Sequence, residues 1–206
     1  MEQGTVRPAA TTSPQPAWDI ALLFPPQGQW SEADYFWLDA NRESKRLMEF
    51  SDGAIEVLDL PSPYHQAIIL FIIKVLQEFV LAQDLGVVSF AGLRVKLKNE
   101  KFREPDIVFM RKENDARRGK EYWEGADVVM EVVSTNREHD LVKKRKEYAE
   151  AGIPEYWIVD PEMRTITVLT LERNRYAVHS ICAQGAIAQS VLLPGFEVAV
   201  DDVFNQ

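Results

Sequence analysis

The stretch from Ala126 to Asp160 constrains this chain more than any other, because it reads buried strand, helix, buried strand. "ADVVMEVVS" is a short run of mostly valine and methionine bounded by turn signals, which suits the middle of a sheet. "STNREHDLVKKRKEYAEAG" predicts a helix over about Arg137 to Ala151, ended by Gly152 and Pro154. "EYWIVD" is then a second buried strand, in which Trp157 and Ile158 read as packing rather than as a base-stacking platform.

One residue breaks the first run. An ionised carboxylate taken out of water without partners shifts its pKa, or costs several kcal/mol even after relaxation. Glu131 must therefore be compensated, either by a buried ion pair, with Arg103 or Lys144 as the partner, or by a metal ion in a cleft.

The remaining elements surround that unit. "WSEADYFWLDANR" predicts a short helix from about Ser31, its N-cap, to Asn41. "RLMEFSDGAIEVLDLP" predicts a hairpin around Ser51, Asp52 and Gly53. "SPYHQAIILFIIKVLQEFVLAQDLG" predicts a long, largely buried helix capped near Ser62 and closed by Gly86. The strands "VVSFAG", "LRVKLK" and "EPDIVFM" follow, with a turn around Asn99, and a charged loop from Arg111 to Gly125 leads into "ADVVMEVVS". After "EYWIVD", the segments "TITVLTLE" and "RYAVHSI" form a meander. The order is that of an α/β domain with β additions at both ends.

With 206 residues, 46% of them hydrophobic, the chain supports one sizeable core. A single domain is expected over 18–206, behind a mobile tail, 1–17, that has no apolar stretch of the secretory kind. The longest apolar run, Ala67 to Ile73, stops at Lys74, short of the roughly 20 residues that span a bilayer. A soluble protein without a membrane partner is expected. The single cysteine, Cys182, excludes an intramolecular disulfide framework and a Cys-rich zinc site, and suits a reducing cytoplasm.

The net charge of -9 argues against a general polyanion binder. Charge is unevenly spread, however. Between Arg94 and Lys146 lie 15 of the 23 Lys and Arg but only 11 of the 32 Asp and Glu, a local +4 in the part of the chain that contains Glu131.

Asp106 opens the run "DIVFM", 25 residues before Glu131. If their strands are neighbours, both carboxylates project from one sheet face and can share a divalent ion such as Mg2+ or Mn2+, which favours oxygen ligands. In the following helix Asp140, Lys144 and Tyr148 are spaced four apart and form one stripe, with Lys143 about 100° round the axis. That spacing makes Lys144 the member of the basic run expected to be held in a fixed place, where it can orient a water or bind a phosphate oxygen.

At these residues the chain resembles a known family. "EPDIVFM", "ADVVMEVVSTN", and Asp140, Lys144 and Tyr148 followed by "AGIPEYWIVDP" are similar to the Uma-two family of restriction-endonuclease-like proteins, within the PD-(D/E)XK nuclease superfamily. The resemblance runs from about Trp30 to Phe204 and includes "MEFSDG" and "SPYHQ". It implies a mixed β-sheet flanked by helices, with Asp106 and Glu131 as ligands of Mg2+ or Mn2+, and nucleic acid, by default DNA, as substrate. The superfamily pattern has a lysine two residues after the acid, where this chain has Val133; in this family the helix lysine, Lys144, looks like the substitute. Glu49 and His65 match the family pattern less informatively and are candidates to extend the metal shell.

The expected activity is metal-dependent phosphodiester hydrolysis, with basic surface added by a homodimer or a partner. The rivals are a catalytically silent nuclease-fold binding or assembly module and a small-nucleotide phosphohydrolase.

Overall fold

The computed structural model describes residues 22–44 and 46–206. The expected tail, 1–17, lies outside them. Ser31 caps the first helix, α1 (Glu32–Asn41), through a capping box with Asp34. The hairpin β1 (Met48–Ser51) and β2 (Ala54–Val57) turns at Asp52 and Gly53, both at positive φ. A Cβ on Gly53 would lie 2.6 Å from the Gly28 carbonyl oxygen, so this turn requires glycine.

The long helix α2 (Pro63–Ala82) is capped by Ser62. It ends before Gly86, which instead opens β3 (Gly86–Phe90) at positive φ, packed against the Met110 and Arg111 backbone. By length and composition α2 could cross a membrane. Its Ile68, Ile69, Ile72, Leu76 and Val80 are instead buried in the protein core.

The strands β4 (Arg94–Lys96), β5 (Phe102–Arg103), β6 (Ile107–Arg111), β7 (Tyr122–Glu124) and β8 (Val128–Val132) follow. The expected charged loop thus contains a 3-10 turn, Lys112–Arg117, and β7, and Asp106 sits immediately before its strand rather than in it. Next come a π-turn, His139–Lys143, then α3 (Lys144–Ala151), β9 (Glu155–Asp160), β10 (Thr165–Glu172), β11 (Arg175–Cys182), β12 (Ile187–Gln189), β13 (Glu197–Ala199) and α4 (Val200–Phe204).

Six strands form the main sheet in the order β11-β10-β9-β8-β6-β3, mixed because β8 and β9 run parallel while β6 and β8 run antiparallel. A smaller sheet has the order β2-β1-β5-β4-β7. Strand alternation divides the core. Val128, Met130 and Val132 face α2, whereas Val129 and Val133 join Tyr148 and Ala149 of α3 on the opposite face. A third cluster, Tyr35, Met48, Phe50, Ile55 and Phe102, holds α1 on the smaller sheet.

Candidate active site

Period-2 alternation places Glu131 on the α3 face of β8, together with Val129 and Val133. Ile107 pairs with Met130, so extending that antiparallel register by one residue brings Asp106 opposite Glu131. Both carboxyls line a cleft of about 620 Å3 with His65, Val132, Asp140 and Lys144.

The helix that covers them is not the plain α-helix that the spacing suggests. Its start, His139–Lys143, is a π-turn, and the Lys144 amide donates to the His139 carbonyl five residues back. Lys144 Nζ nevertheless lies 3.0 Å from Glu131 Oε2, 3.4 Å from Asp140 Oδ1 and 3.9 Å from Glu49 Oε1. Tyr148, one turn further on, donates its hydroxyl to Glu131 Oε1 at 2.6 Å. The half-exposed Lys143 points elsewhere, 3.8 Å from Glu56. The structure thus brings together Asp106, Glu131, Asp140, Lys144, Tyr148 and Glu49, and leaves Lys143 at the rim.

Burial and crowding set the electrostatics. Removal from water pushes Glu131 up to about 7; Lys144 opposes this, and Asp106, Glu49 and Asp140 add to it. Asp106 rises to about 6, again chiefly through burial, against Lys144 and the Val132 amide, which donates to Asp106 Oδ2 at 2.8 Å. Burial works against the charged form of Lys144, yet the four surrounding carboxyls hold its pKa well above the ordinary lysine value. Asp140 is also opposed by burial, but His139, Lys144 and the amide and hydroxyl of Ser134 hold it far below the usual carboxylate range.

His65 Nε2 lies 2.9 Å from the Val132 carbonyl oxygen and 3.5 Å from Asp106 Oδ2, and burial lowers its pKa. It therefore sits beside the acid pair while being engaged by the backbone.

A second set of charges continues the network away from the cleft. Arg103, with no exposure, donates to Glu49 Oε2 and Glu147 Oε2, each at 2.7 Å. Lys101 and Ser51 complete Glu147 at 3.2 and 3.0 Å. The buried ion-pair partner of Glu131 is thus Lys144, whereas Arg103 serves Glu49 and Glu147. Burial disfavours ionisation of those two acids, but Arg103, with Lys144 at Glu49 and Lys101 at Glu147, holds both below the usual range.

Sequence reasoning missed His139, Glu56 and Glu147 as parts of this network. His139 and Glu147 at least adjoin the selected Asp140 and Tyr148, whereas Glu56 carries no signal beyond its place in the hairpin. The position two residues after Glu131, Val133, is buried in the α3-side core, so the strand presents no cation there and the helix does. Asp106 and Glu131 offer carboxylate oxygens to the cleft, a donor chemistry that fits Mg2+ or Mn2+.

A solved structure, "Crystal structure of a putative nuclease belonging to DUF820 from Anabaena variabilis ATCC 29413", matches with a TM-score of 0.70 at 18% identity, covering 85% of this chain and 97% of that one. No curated protein matches by sequence. The family model Uma2, described as "Putative restriction endonuclease", matches residues 32–201. With that match spanning most of its length, and the fold shared with the Anabaena structure, the chain belongs to the Uma2 family of restriction-endonuclease-like proteins.

Proposed function

We propose that this protein is a metal-dependent endonuclease that hydrolyses phosphodiester bonds, with DNA as the default substrate. The observation that carries the reading is that Asp106, just before β6, and Glu131, on the neighbouring β8, line the same cleft, with pKa values pushed up to about 6 and about 7. A buried Glu131 and a largely shielded Asp106 opposed in this way repel each other when ionised, and a divalent cation relieves that repulsion.

Asp106 and Glu131 would hold Mg2+ or Mn2+. When bound, such an ion supplies charge stabilisation at the phosphate and lowers the pKa of a water. The chain's own groups then do the positioning. Tyr148 fixes one Glu131 oxygen by hydrogen bonding. Lys144, kept protonated by its carboxylate neighbours, presents a fixed positive charge at the floor, where it orients a water or takes a phosphate oxygen. Asp140 steadies Lys144 from the preceding turn. The cleft also carries Glu56, Asp59 and Glu162, so phosphate binding is confined to a small region.

Thermal unfolding of the wild type and Glu131→Gln, each with and without Mn2+, tests this reading. The expected result is a higher Tm for the wild type in Mn2+ and no response from the variant, whose metal-free form is no less stable than the wild type. A Mn2+-dependent nicking assay on plasmid DNA then follows. One observation favours a second reading, a silent binding or assembly module. Lys144 and Tyr148 already satisfy both Glu131 oxygens. That reading gains if neither protein responds to Mn2+ and Glu131→Gln is simply destabilised.

A further inference from the structure

Beside the acid pair lies another group of donors. Glu49 on β1, Glu56 on β2 and His139 in the π-turn each offer one atom, and these atoms lie within 4.8 Å of one another. His139 is 8% exposed, and its Nε2 has no hydrogen-bond partner among the described residues. That nitrogen lies 3.2 Å from Glu56 Oε2 and 3.8 Å from Glu49 Oε2.

On the other side of the ring, His139 Nδ1 lies 3.6 Å from Asp140 Oδ1, so the imidazole stands between that carboxylate and the two glutamates. A carboxylate behind one imidazole nitrogen is the usual support of a metal-binding histidine. Glu49 is itself held by Arg103 and by the Glu104 amide, at 2.7 and 3.1 Å, as ligating carboxylates commonly are. Glu56 and His139 line the cleft, which gives an ion a way in.

We infer that Glu49, Glu56 and His139 form a second cation site, selective for a transition-metal ion such as Zn2+ over Mg2+. The selectivity follows from donor chemistry: imidazole suits Zn2+ and its neighbours in the series, whereas Mg2+ is held by oxygen alone. The site shares no ligand with the Asp106 and Glu131 pair and stands independently of the proposed activity. Its ion would tie the β1-β2 hairpin to the turn that leads into Lys144. The nearby cations are Arg103, Lys143 at 3.8 Å from Glu56 and Lys144 at 3.9 Å from Glu49; they weaken the site without filling it.

The test is equilibrium dialysis against Zn2+ in excess Mg2+, using the full chain. Wild type and Glu131→Gln are expected to bind one Zn2+ each. His139→Asn and Glu56→Gln are expected to bind it at least tenfold more weakly. Glu56 is half-exposed at the hairpin, so its variant folds even if replacement of the buried histidine disturbs the turn. Zn2+ retention by Glu56→Gln at wild-type strength overturns the inference, as does a wild type that binds none. Loss of Zn2+ in Glu131→Gln alone also overturns it, because the ion then belongs to the first site. None of these failures touches the Mn2+ response at Glu131, on which the nuclease reading depends.

Discussion

The two ends of the parallel strand pair β8 and β9 both bury carboxylates and treat them differently. At the amino end, Glu155 is fully buried and accepts from the Trp157 indole, the Ser190 hydroxyl and the amides of Val191 and Leu192, at 2.6 to 2.8 Å. Asp127 beside it accepts from the Arg111 amide and the Asn114 side chain. Every donor there is neutral, and every oxygen is occupied. At the carboxyl end Glu131, Asp106, Asp140 and Glu49 crowd around one lysine. Burial is alike at both ends, so it does not itself mark a site. What marks the carboxyl end is carboxylate in excess of local cation. That is also the end where open α/β sheets bind their ligands.

Removing the shared cation should break the contrast most strongly. Lys144→Ala takes the one cation partner from the buried Glu131, and we expect a loss of about 3–5 kcal/mol in urea unfolding at pH 8. The loss should shrink toward pH 5 as the raised carboxyls take up protons. A loss under about 1 kcal/mol at pH 8 would mean that the network is solvated.

At the opposite end, Glu155→Gln turns one acceptor into a donor facing other donors, at a cost of about 1–3 kcal/mol. The Mn2+ response of this variant should equal that of wild type. An altered response would show that the two ends are coupled.

The pH profile sharpens the comparison further. Asp106 and Glu131 have folded-state values of about 6 and about 7, above those of the unfolded chain, so between about pH 4.5 and 7 the native state holds more protons. Metal-free stability should therefore fall as pH rises through that window, by at most about 1.4 kcal/mol per pH unit for each proton held. Glu131→Gln should flatten the fall; an unchanged slope would place the titration elsewhere. The smallest effect belongs to Lys143→Ala, within about 0.5 kcal/mol, with activity near wild type. If it loses activity while Lys144→Ala keeps it, the assignment of the inward lysine is reversed.

How much of this was legible in the sequence depended on range. The hairpin at Asp52 and Gly53, the Ser31 and Ser62 caps and the strands around Glu131 are local patterns, and the structure has them. Glu131 was legible because an acid in a valine run is conspicuous, whereas Asp106 stood out only through its place before the neighbouring strand and through the family resemblance. The π-turn was not, since its residues also suit an α-helix and only the bond from Lys144 to His139 tells them apart. The two-residue strand Phe102–Arg103 is too short to show periodicity, and the Arg103 contact with Glu49 joins positions 54 residues apart. Nothing in composition or spacing signals such a pairing.

Arg103 has a consequence for how the molecule comes apart. Its guanidinium joins β1 of the smaller sheet to Glu147 on α3, which packs on the main sheet. Lifting the hairpin would part the fully buried Glu49 from its Arg103 counterion. Partial opening at this seam is therefore penalised, and the two sheets should melt as one cooperative unit. Amide hydrogen exchange would show it as similar protection in β1 and β8, so that the cleft dissolves only when the whole fold does.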